Sequence, residues 1–383
     1  MKPYEMFITT KASARRHEMT LEDVWFSDDD EIKNETITEN KTGTNTRITT
    51  VYNAPRVNTY ELNRKLQEFV NAHKYLYDAD RHSLYQSFKI PKKSGGLRPI
   101  DAPDWRLMSA LRELKSILEQ SFHARWLYHT SAFAYINGRS TIDCVKKHQL
   151  NKSRWFAKFD VHNFFGSTTL EFVMSMFSKI FPFSMLIPTI HGRDSLSSAL
   201  ELCFLDGVLP QGTPISPMIT NIMMIPVDYM MEKYCRENGL VYSRYADDFL
   251  ISSRESFDFR AVEQKIVDVL KEFGAPFELN RTKTRYGSSA GANWNFGVML
   301  NKDNQMTIGR ARKRQFESML FSYGRDKKAG INWSIDDVRH MEGLRSYYKM
   351  VEGDAIDRIV QHISEKVGAN IMAMIKTDLK TLC

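Results

Sequence analysis

Two adjacent carboxylates, Asp247 and Asp248, lie inside the run Leu240-Val-Tyr-Ser-Arg-Tyr-Ala-Asp-Asp-Phe-Leu-Ile-Ser252. The apolar and aromatic flanks read as two short β-strands, which puts the acidic pair at or beside the tip of a hairpin. That tip lacks the Asn-Gly or Asp-Gly of a relaxed two-residue turn. Like charges at a tight turn repel each other, and a divalent cation relieves the repulsion because Mg²⁺ favours carboxylate oxygen. A solvated Asp-Asp turn is the commoner origin of such a pair, so other segments must decide.

Asp160 ends the run Trp155-Phe-Ala-Lys-Phe-Asp160. Period-two reading puts Trp155, Ala157, Phe159 and Val161 on one strand face and Phe156, Lys158 and Asp160 on the other. A carboxylate thus closes a strand whose opposite face is apolar enough to pack on helices; a helix-capping role for Asp160 stays open. Between Asp160 and the acidic pair lies Leu209-Pro-Gln-Gly-Thr-Pro-Ile-Ser-Pro-Met-Ile-Thr-Asn221. Its first half is turn-forming, and Met218 through Met224 reads as a buried helix.

Together these segments resemble the bacterial reverse transcriptases. Phe159-Asp160 with Phe164-Phe165 is similar to that family's first palm motif, Gln211-Gly212-Thr-Pro-Ile-Ser216-Pro217 to its second, and Tyr245-Ala-Asp-Asp248 to its catalytic hairpin. Asn280-Arg-Thr-Lys283-Thr resembles the fourth motif and Phe296-Gly297-Val-Met-Leu-Asn301 the primer-grip hairpin. Lys92-Lys93-Ser-Gly-Gly-Leu-Arg98-Pro-Ile resembles the fingers strand pair that meets the incoming nucleotide. Six motifs in family order are far more specific than any one of them.

The resemblance implies an α+β fold, a right-hand polymerase with fingers, an antiparallel palm sheet with helices, and a helical thumb. The expected divisions are an N-terminal extension over 1–56, fingers over 57–155, palm over 156–305 and thumb over 306–383. The extension holds ten acidic and eight basic residues with a Thr/Asn/Lys stretch, which argues for a partly mobile segment. In the fingers, Leu107, Leu111, Leu114 and Leu118 make a core-facing helical stripe. In the thumb, Ser334-Ile-Asp-Asp337 begins a capped helix carrying Val338, Met341, Leu344, Tyr348 and Val351. Before it, Arg310, Arg312, Lys313 and Arg314 form a basic cluster placed to follow a nucleic-acid backbone. The length beyond the primer grip suits a thumb alone, with no RNase H, integrase or endonuclease domain.

With 383 residues and 42% hydrophobic content the chain has ample core. A net charge of +7 fits a polyanionic partner without naming one. The four cysteines are far apart and form no Cys-x-x-Cys pair, so neither a zinc site nor a disulfide framework is expected. No apolar run approaches the roughly 20 residues of a membrane span, and the N-terminus lacks a signal-peptide core. Both point to a cytoplasmic protein without a membrane partner.

The resemblance also implies chemistry. Two Mg²⁺ ions, with Mn²⁺ as substitute, would be held by Asp160, Asp247 and the Val161 carbonyl, with a lesser part for Asp248. Lys92, Lys93 and Arg98 are triphosphate candidates, Arg98 foremost because guanidinium pairs phosphate oxygens. Gln211 and Gly212 would line the nascent base pair, the glycine allowing close backbone approach. Lys283 would protonate the leaving pyrophosphate. Phe165, five residues after Asp160, stands where the family places its sugar gate, implying dNTP substrates; the resemblance itself implies an RNA template and a DNA product. Ser216-Pro217, where Ser-Gln marks diversity-generating elements, and the absence of Val-Thr-Gly and Asn-Ala-x-x-His strings typical of retrons point to stand-alone enzymes of anti-phage defence. A retron-type enzyme with a dedicated non-coding RNA, a template-independent or protein-primed polymerase, and a homo-oligomer remain open. So do an inactive RNA-binding palm scaffold and a nucleotide cyclase; intact aspartates count against the first, and the Gln211-Gly212 motif and basic thumb against the second.

Overall fold

A computed structural model describes residues 58–92, 95–120, 127–186, 194–290 and 296–381. The expected N-terminal extension and Lys93 lie outside the described residues. In chain order the main elements are α1 (Thr59–Ala72), β1 (Tyr85–Pro91), β2 (Leu97–Pro103), α2 (Trp105–Gln120), α3 (Thr141–Leu150) and β3 (Trp155–Asp160). There follow α4 (Leu170–Phe177), α5 (Ser195–Glu201), α6 (Ser216–Met223), α7 (Ile225–Glu237), β4 (Val241–Tyr245), β5 (Asp248–Ser253) and α8 (Phe259–Glu272). The chain continues through β6 (Arg285–Ser288), β7 (Met299–Leu300), β8 (Met306–Thr307), α9 (Arg310–Lys328), α10 (Ile335–Val367) and α11 (Ile371–Thr381). The architecture is α+β.

β1 and β2 form an antiparallel hairpin with Tyr85 opposite Pro103 and Pro91 opposite Leu97. At its base, Asp104 accepts from the Leu107 amide and starts α2. The predicted stripe Leu107, Leu111, Leu114 and Leu118 is fully buried. α1 starts at Asn58, whose side chain accepts from the Glu61 amide, and buries Leu62, Leu66 and Phe69 at helical spacing.

The central sheet has the order β4-β5-β3-β6, all neighbours antiparallel. Alternation along β3 and β5 sorts their side chains cleanly. Ala157, Phe159, Phe249 and Ile251 enter the large core with helices α6, α7 and α8. On the other face, Phe156 and Leu250 join a second core that runs through Val298, Leu300 and Ile308 into α9, α10 and α11. Period two sorts Phe156, Lys158 and Asp160 onto one face without saying what covers it. The start of that face is apolar core, because Phe156 packs into the second cluster with the C-terminal helices. Only the end of the strands, from Lys158 onward, is left to carboxylates.

Ser334 caps α10 as expected, accepting from the Asp337 amide. The helix breaks at Glu352, with φ −152° and ψ 59°. The carboxylate there accepts from Thr307 and from the Ile308 amide and pairs with Lys313. These contacts fasten α10 to the β7–β8 hairpin and α9 at the break. Cys144, Cys203 and Cys235 are buried free thiols. Among the described residues no helix is long and apolar enough to cross a membrane.

Candidate active site

Tyr245 pairs with Asp248 across β4 and β5, so Ala246 and Asp247 are the two turn residues. Ala246 takes φ +58°, a left-handed conformation that glycine or asparagine would adopt more cheaply. Such strain persists only where the surroundings enforce it. The Asp247 carbonyl accepts from the Val161 amide at 3.1 Å, which ties the turn to the end of β3. In the β3–β5 register Asp160 stands directly opposite Asp248. Three carboxylates therefore meet at one end of the sheet. Like charges placed opposite on a sheet are destabilising unless something compensates them.

Two lysines compensate. Lys283 Nζ lies 3.0 Å from both oxygens of Asp160. It is brought there by its backbone: the Asn280 amide donates to the Asp160 carbonyl at 2.7 Å, and the Lys283 amide to the Asn280 carbonyl. Lys158 Nζ lies 2.7 Å from Asp248 Oδ2 and 5.2 Å from the centre of the Phe296 ring. Burial pushes the Asp248 carboxyl up to about 6, with Lys158 opposing and the neighbouring carboxylates adding to it. Burial also raises Asp247, and the Asp160 charge raises it further.

Among the described residues no three acidic, histidine or cysteine side chains are gathered closely enough to hold a metal ion. The donor set nevertheless suits a hard divalent cation, being entirely oxygen. Asp248 Oδ1 is buried without a hydrogen-bond partner, an acceptor in need of a cation. Lysine ammonium groups contact Asp160 and Asp248, so bound ions would compete with Lys283 and Lys158 for the same oxygens.

The other sequence candidates fall into three groups. Phe164 is core, packed on Phe277 with ring centres 5.0 Å apart, whereas Phe165 is half-buried at the edge of that core. The two adjacent phenylalanines thus occupy different environments. Lys92 and Arg98 are exposed on the β1–β2 hairpin. Gln211 meets this hairpin through its main chain; its carbonyl accepts from the Asp101 amide at 2.7 Å. Gly212 has φ +124°, and a Cβ there would sit 2.8 Å from the Asp101 carbonyl oxygen and 2.9 Å from Ile100 Cγ2. The glycine is required by contact with β2, before any base pair is considered. In α9, Arg312 donates to the Gly297 carbonyl at 2.5 Å and Lys313 pairs with Glu352. Arg310 and Arg314 are exposed.

Residues 90–317 match the family described as "Reverse transcriptase (RNA-dependent DNA polymerase)". The chain belongs to the reverse transcriptase family. It is an RNA-directed DNA polymerase with an RNA template, of a family that depends on divalent metal. The Retron Ec83 reverse transcriptase of Escherichia coli is 30% identical over 291 residues, covering 73% of this chain and 87% of that protein. The Retron Mx65 reverse transcriptase of Myxococcus xanthus is 26% identical over 295 residues, covering 74% of this chain and 65% of the relative. Among solved structures, apo telomerase from Candida tropicalis is 13% identical with a TM-score of 0.44, covering 84% of this chain and 66% of that one. Telomerase from Candida albicans with a fragment of telomeric RNA has a TM-score of 0.40 at 12% identity, covering 77% and 63%.

Sequence reasoning passed over several residues of this site. Lys158 was legible, since it shares Asp160's face two residues upstream. Arg244 and Asp228 were not: a guanidinium in a strand and a lone carboxylate in the apolar start of α7 look like surface residues, yet both are fully buried and joined to each other.

Proposed function

We propose that Asp160, Asp247 and Asp248 form the polymerising centre of this reverse transcriptase, with the Val161 carbonyl completing the ligand set for two Mg²⁺ ions, replaceable by Mn²⁺. The observation that carries this reading is the cross-strand pairing of Asp160 with Asp248 beside the strained Ala246-Asp247 turn. Bound ions would stabilise the attacking 3′-oxygen and the leaving pyrophosphate oxygen. The chain's own groups do the rest. Lys283 holds a proton at Nζ above Asp160, and once released from that carboxylate it donates to the pyrophosphate. Arg98, with Lys92 and Lys93, receives the triphosphate; Phe165 excludes the ribose 2′-hydroxyl; Gln211 and Gly212 support the nascent pair through β2; Arg310 and Arg314 lead the basic thumb surface. Fingers, palm and thumb divide at about residues 155 and 305.

Asp247→Asn removes a charge and almost no volume. It should abolish Mg²⁺-dependent primer extension on an RNA template while leaving the thermal melt of the metal-free protein unchanged or raised, since a crowded charge is removed. Full extension by this variant would refute the assignment. The biological setting we propose is bacterial defence against phage. The retron relatives favour a second form of it, synthesis on a dedicated non-coding RNA, with homo-oligomers within its scope. Phage yield should fall in cells expressing the wild type but not Asp247→Asn, and sequencing the copurifying nucleic acid distinguishes one dedicated RNA from a mixed population.

A further inference from the structure

One segment near the aspartates has no role in that chemistry. Between α2 and α3 the chain passes through Ala132, Phe133 and Ala134, all buried, and then presents Tyr135 at 59% exposure with φ +61°. A large aromatic held in the left-handed region and turned to solvent has no packing rationale; both costs need a reason outside the core. Its surroundings supply one. Although the residue as a whole is exposed, crowding around the Tyr135 hydroxyl raises it, the Asp247 carboxylate raises it further, and Arg98 lowers it. The phenol thus stands in the field of a carboxylate proposed to hold metal and of the guanidinium proposed for the triphosphate. Tyr135 also lines a cleft of about 370 Å³ with Lys115, Asn137, Arg139, Thr213 and Pro214. Thr213 and Pro214 belong to the loop that opens with Gln211-Gly212.

How this tyrosine is held is explicit. Asn221, 1% exposed on α6, donates from Nδ2 to the Ala134 carbonyl at 2.7 Å. Its Oδ1 accepts from Arg244 Nη1 at 3.1 Å, and the same Nη1 donates to the Ala246 carbonyl at 2.9 Å. Arg244 is itself fixed by Asp228, through Nε and Nη2 at 2.7 Å each. The two carbonyls so gripped belong to Ala134 and Ala246, immediately before Tyr135 and Asp247. Positive φ falls on Tyr135 in the first case and on Ala246 in the second. The main chain adds to this: the Arg244 amide donates to Ser131 and its carbonyl accepts from Phe133, so residues 131–133 run along the outer edge of β4.

We propose that Tyr135 forms one wall of the nucleoside triphosphate site, and that the buried Asn221–Arg244 pair is a positioning device holding it in register with Asp247. This rests on reading the three aspartates as the polymerising centre. The ligand follows from the neighbours: a carboxylate that would hold metal-bound phosphates, a guanidinium for phosphate oxygens, and a flat ring near both for sugar or base.

The test measures dTTP binding on poly(rA) primed with oligo(dT) ending in a dideoxynucleotide, so that no turnover occurs, alongside extension on an ordinary primer. Tyr135→Ala should raise the dTTP Kd about tenfold, the worth of one good aromatic contact. Tyr135→Phe should restore it, and the Kd for primed template should stay unchanged. Asn221→Asp keeps an acceptor for Arg244 but, ionised, cannot donate to Ala134. It should raise the dTTP Kd as Tyr135→Ala does, and the double variant should be no worse than Tyr135→Ala alone. If Asn221→Asp does not fold, Asn221→Ser replaces it. A Kd within twofold of wild type for Tyr135→Ala, with normal extension, overturns the proposal alone. Multiplicative losses in the double variant overturn the Asn221 link. A wild type that neither extends nor binds dTTP sinks the polymerase reading and this proposal with it.

Discussion

Gly212→Ala separates two reasons for the glycine that opens the second motif. If the residue is small only so that a nascent base pair can approach, the substrate-free protein will not notice a methyl group. The geometry argues otherwise, because the added Cβ would meet the Asp101 carbonyl oxygen at 2.8 Å and Ile100 Cγ2 at 2.9 Å, at a φ of +124°. Alanine at such a φ costs about 1–3 kcal/mol. Relieving the clash moves β2 away and breaks the Asp101 N–H bond to the Gln211 carbonyl, a further ~0.5–1.5 kcal/mol. Together these give about 1.5–4.5 kcal/mol, enough to lower the population of the docked β1–β2 hairpin by roughly 10- to 1,600-fold if the cost is expressed locally. The expected outcome is a urea midpoint lowered without any nucleotide present, and a kcat/KM for dTTP on poly(rA)/oligo(dT) down by tenfold or more. Stability equal to wild type with a collapsed kcat/KM would return the glycine's role to the base pair. Both quantities within twofold of wild type would refute the steric argument altogether.

Phe165→Val should admit rNTPs with modest loss of dNTP incorporation, read as the ratio of the two kcat/KM values; an unchanged ratio in an active variant moves the sugar gate to another residue. Arg310→Gln with Arg314→Gln should weaken binding to every primed template and reduce the slope of log K against log salt by up to about 0.9 for each phosphate no longer neutralised; an unchanged slope would place the duplex elsewhere. His148, wholly buried between Ser243 and Ser252, is pulled down to about 3 by burial, with Lys147 adding to the fall. Its folded value lies below the unfolded one of about 6.5, so the unfolded chain binds the extra proton and stability is lost as pH falls from 6.5 toward 3. Between pH 7 and pH 5 this one group accounts for a loss of about 2 kcal/mol, and His148→Gln should be flatter by that amount in urea unfolding at the two pH values; parallel losses would count against it.

What could be read in advance follows from which signals are local. The Leu107 stripe, the Ser334 cap and the strand-turn-strand around Asp247 depend on residues within a few positions of one another. All three appear where periodicity and turn chemistry put them. The face assignment of β3 holds for the same reason. Period two separates Phe159 from Asp160, but cannot say that α9 and α10 will cover Phe156 from the other side. Within the basic thumb run, composition cannot tell a committed cation from a free face: Lys313 is taken by a glutamate 39 residues away.

The proposed site is legible in the sequence as a set of acids and illegible as a charge balance. Asp160, Asp247 and Asp248 can be chosen from motif order, yet what lets them coexist in one fold is Lys283 on the first and Lys158 on the third, and beneath the sheet a buried arginine that ties the turn to α7. These partners come from distant segments, where no spacing rule reaches. The same limit applies to short subgroup signatures. The Val-Thr-Gly and Asn-Ala-x-x-His strings each probe a handful of positions, whereas the alignment with the Retron Ec83 enzyme spans 291 residues. A buried grip such as Asp228–Arg244–Asn221 cannot lose one member without stranding the others' charge or hydrogen bonds, at a cost of about 3–5 kcal/mol for a broken buried pair. The residues that most restrict this chain are therefore the ones behind the carboxylates, on the helix-covered face of the sheet, and only a structure brings them together.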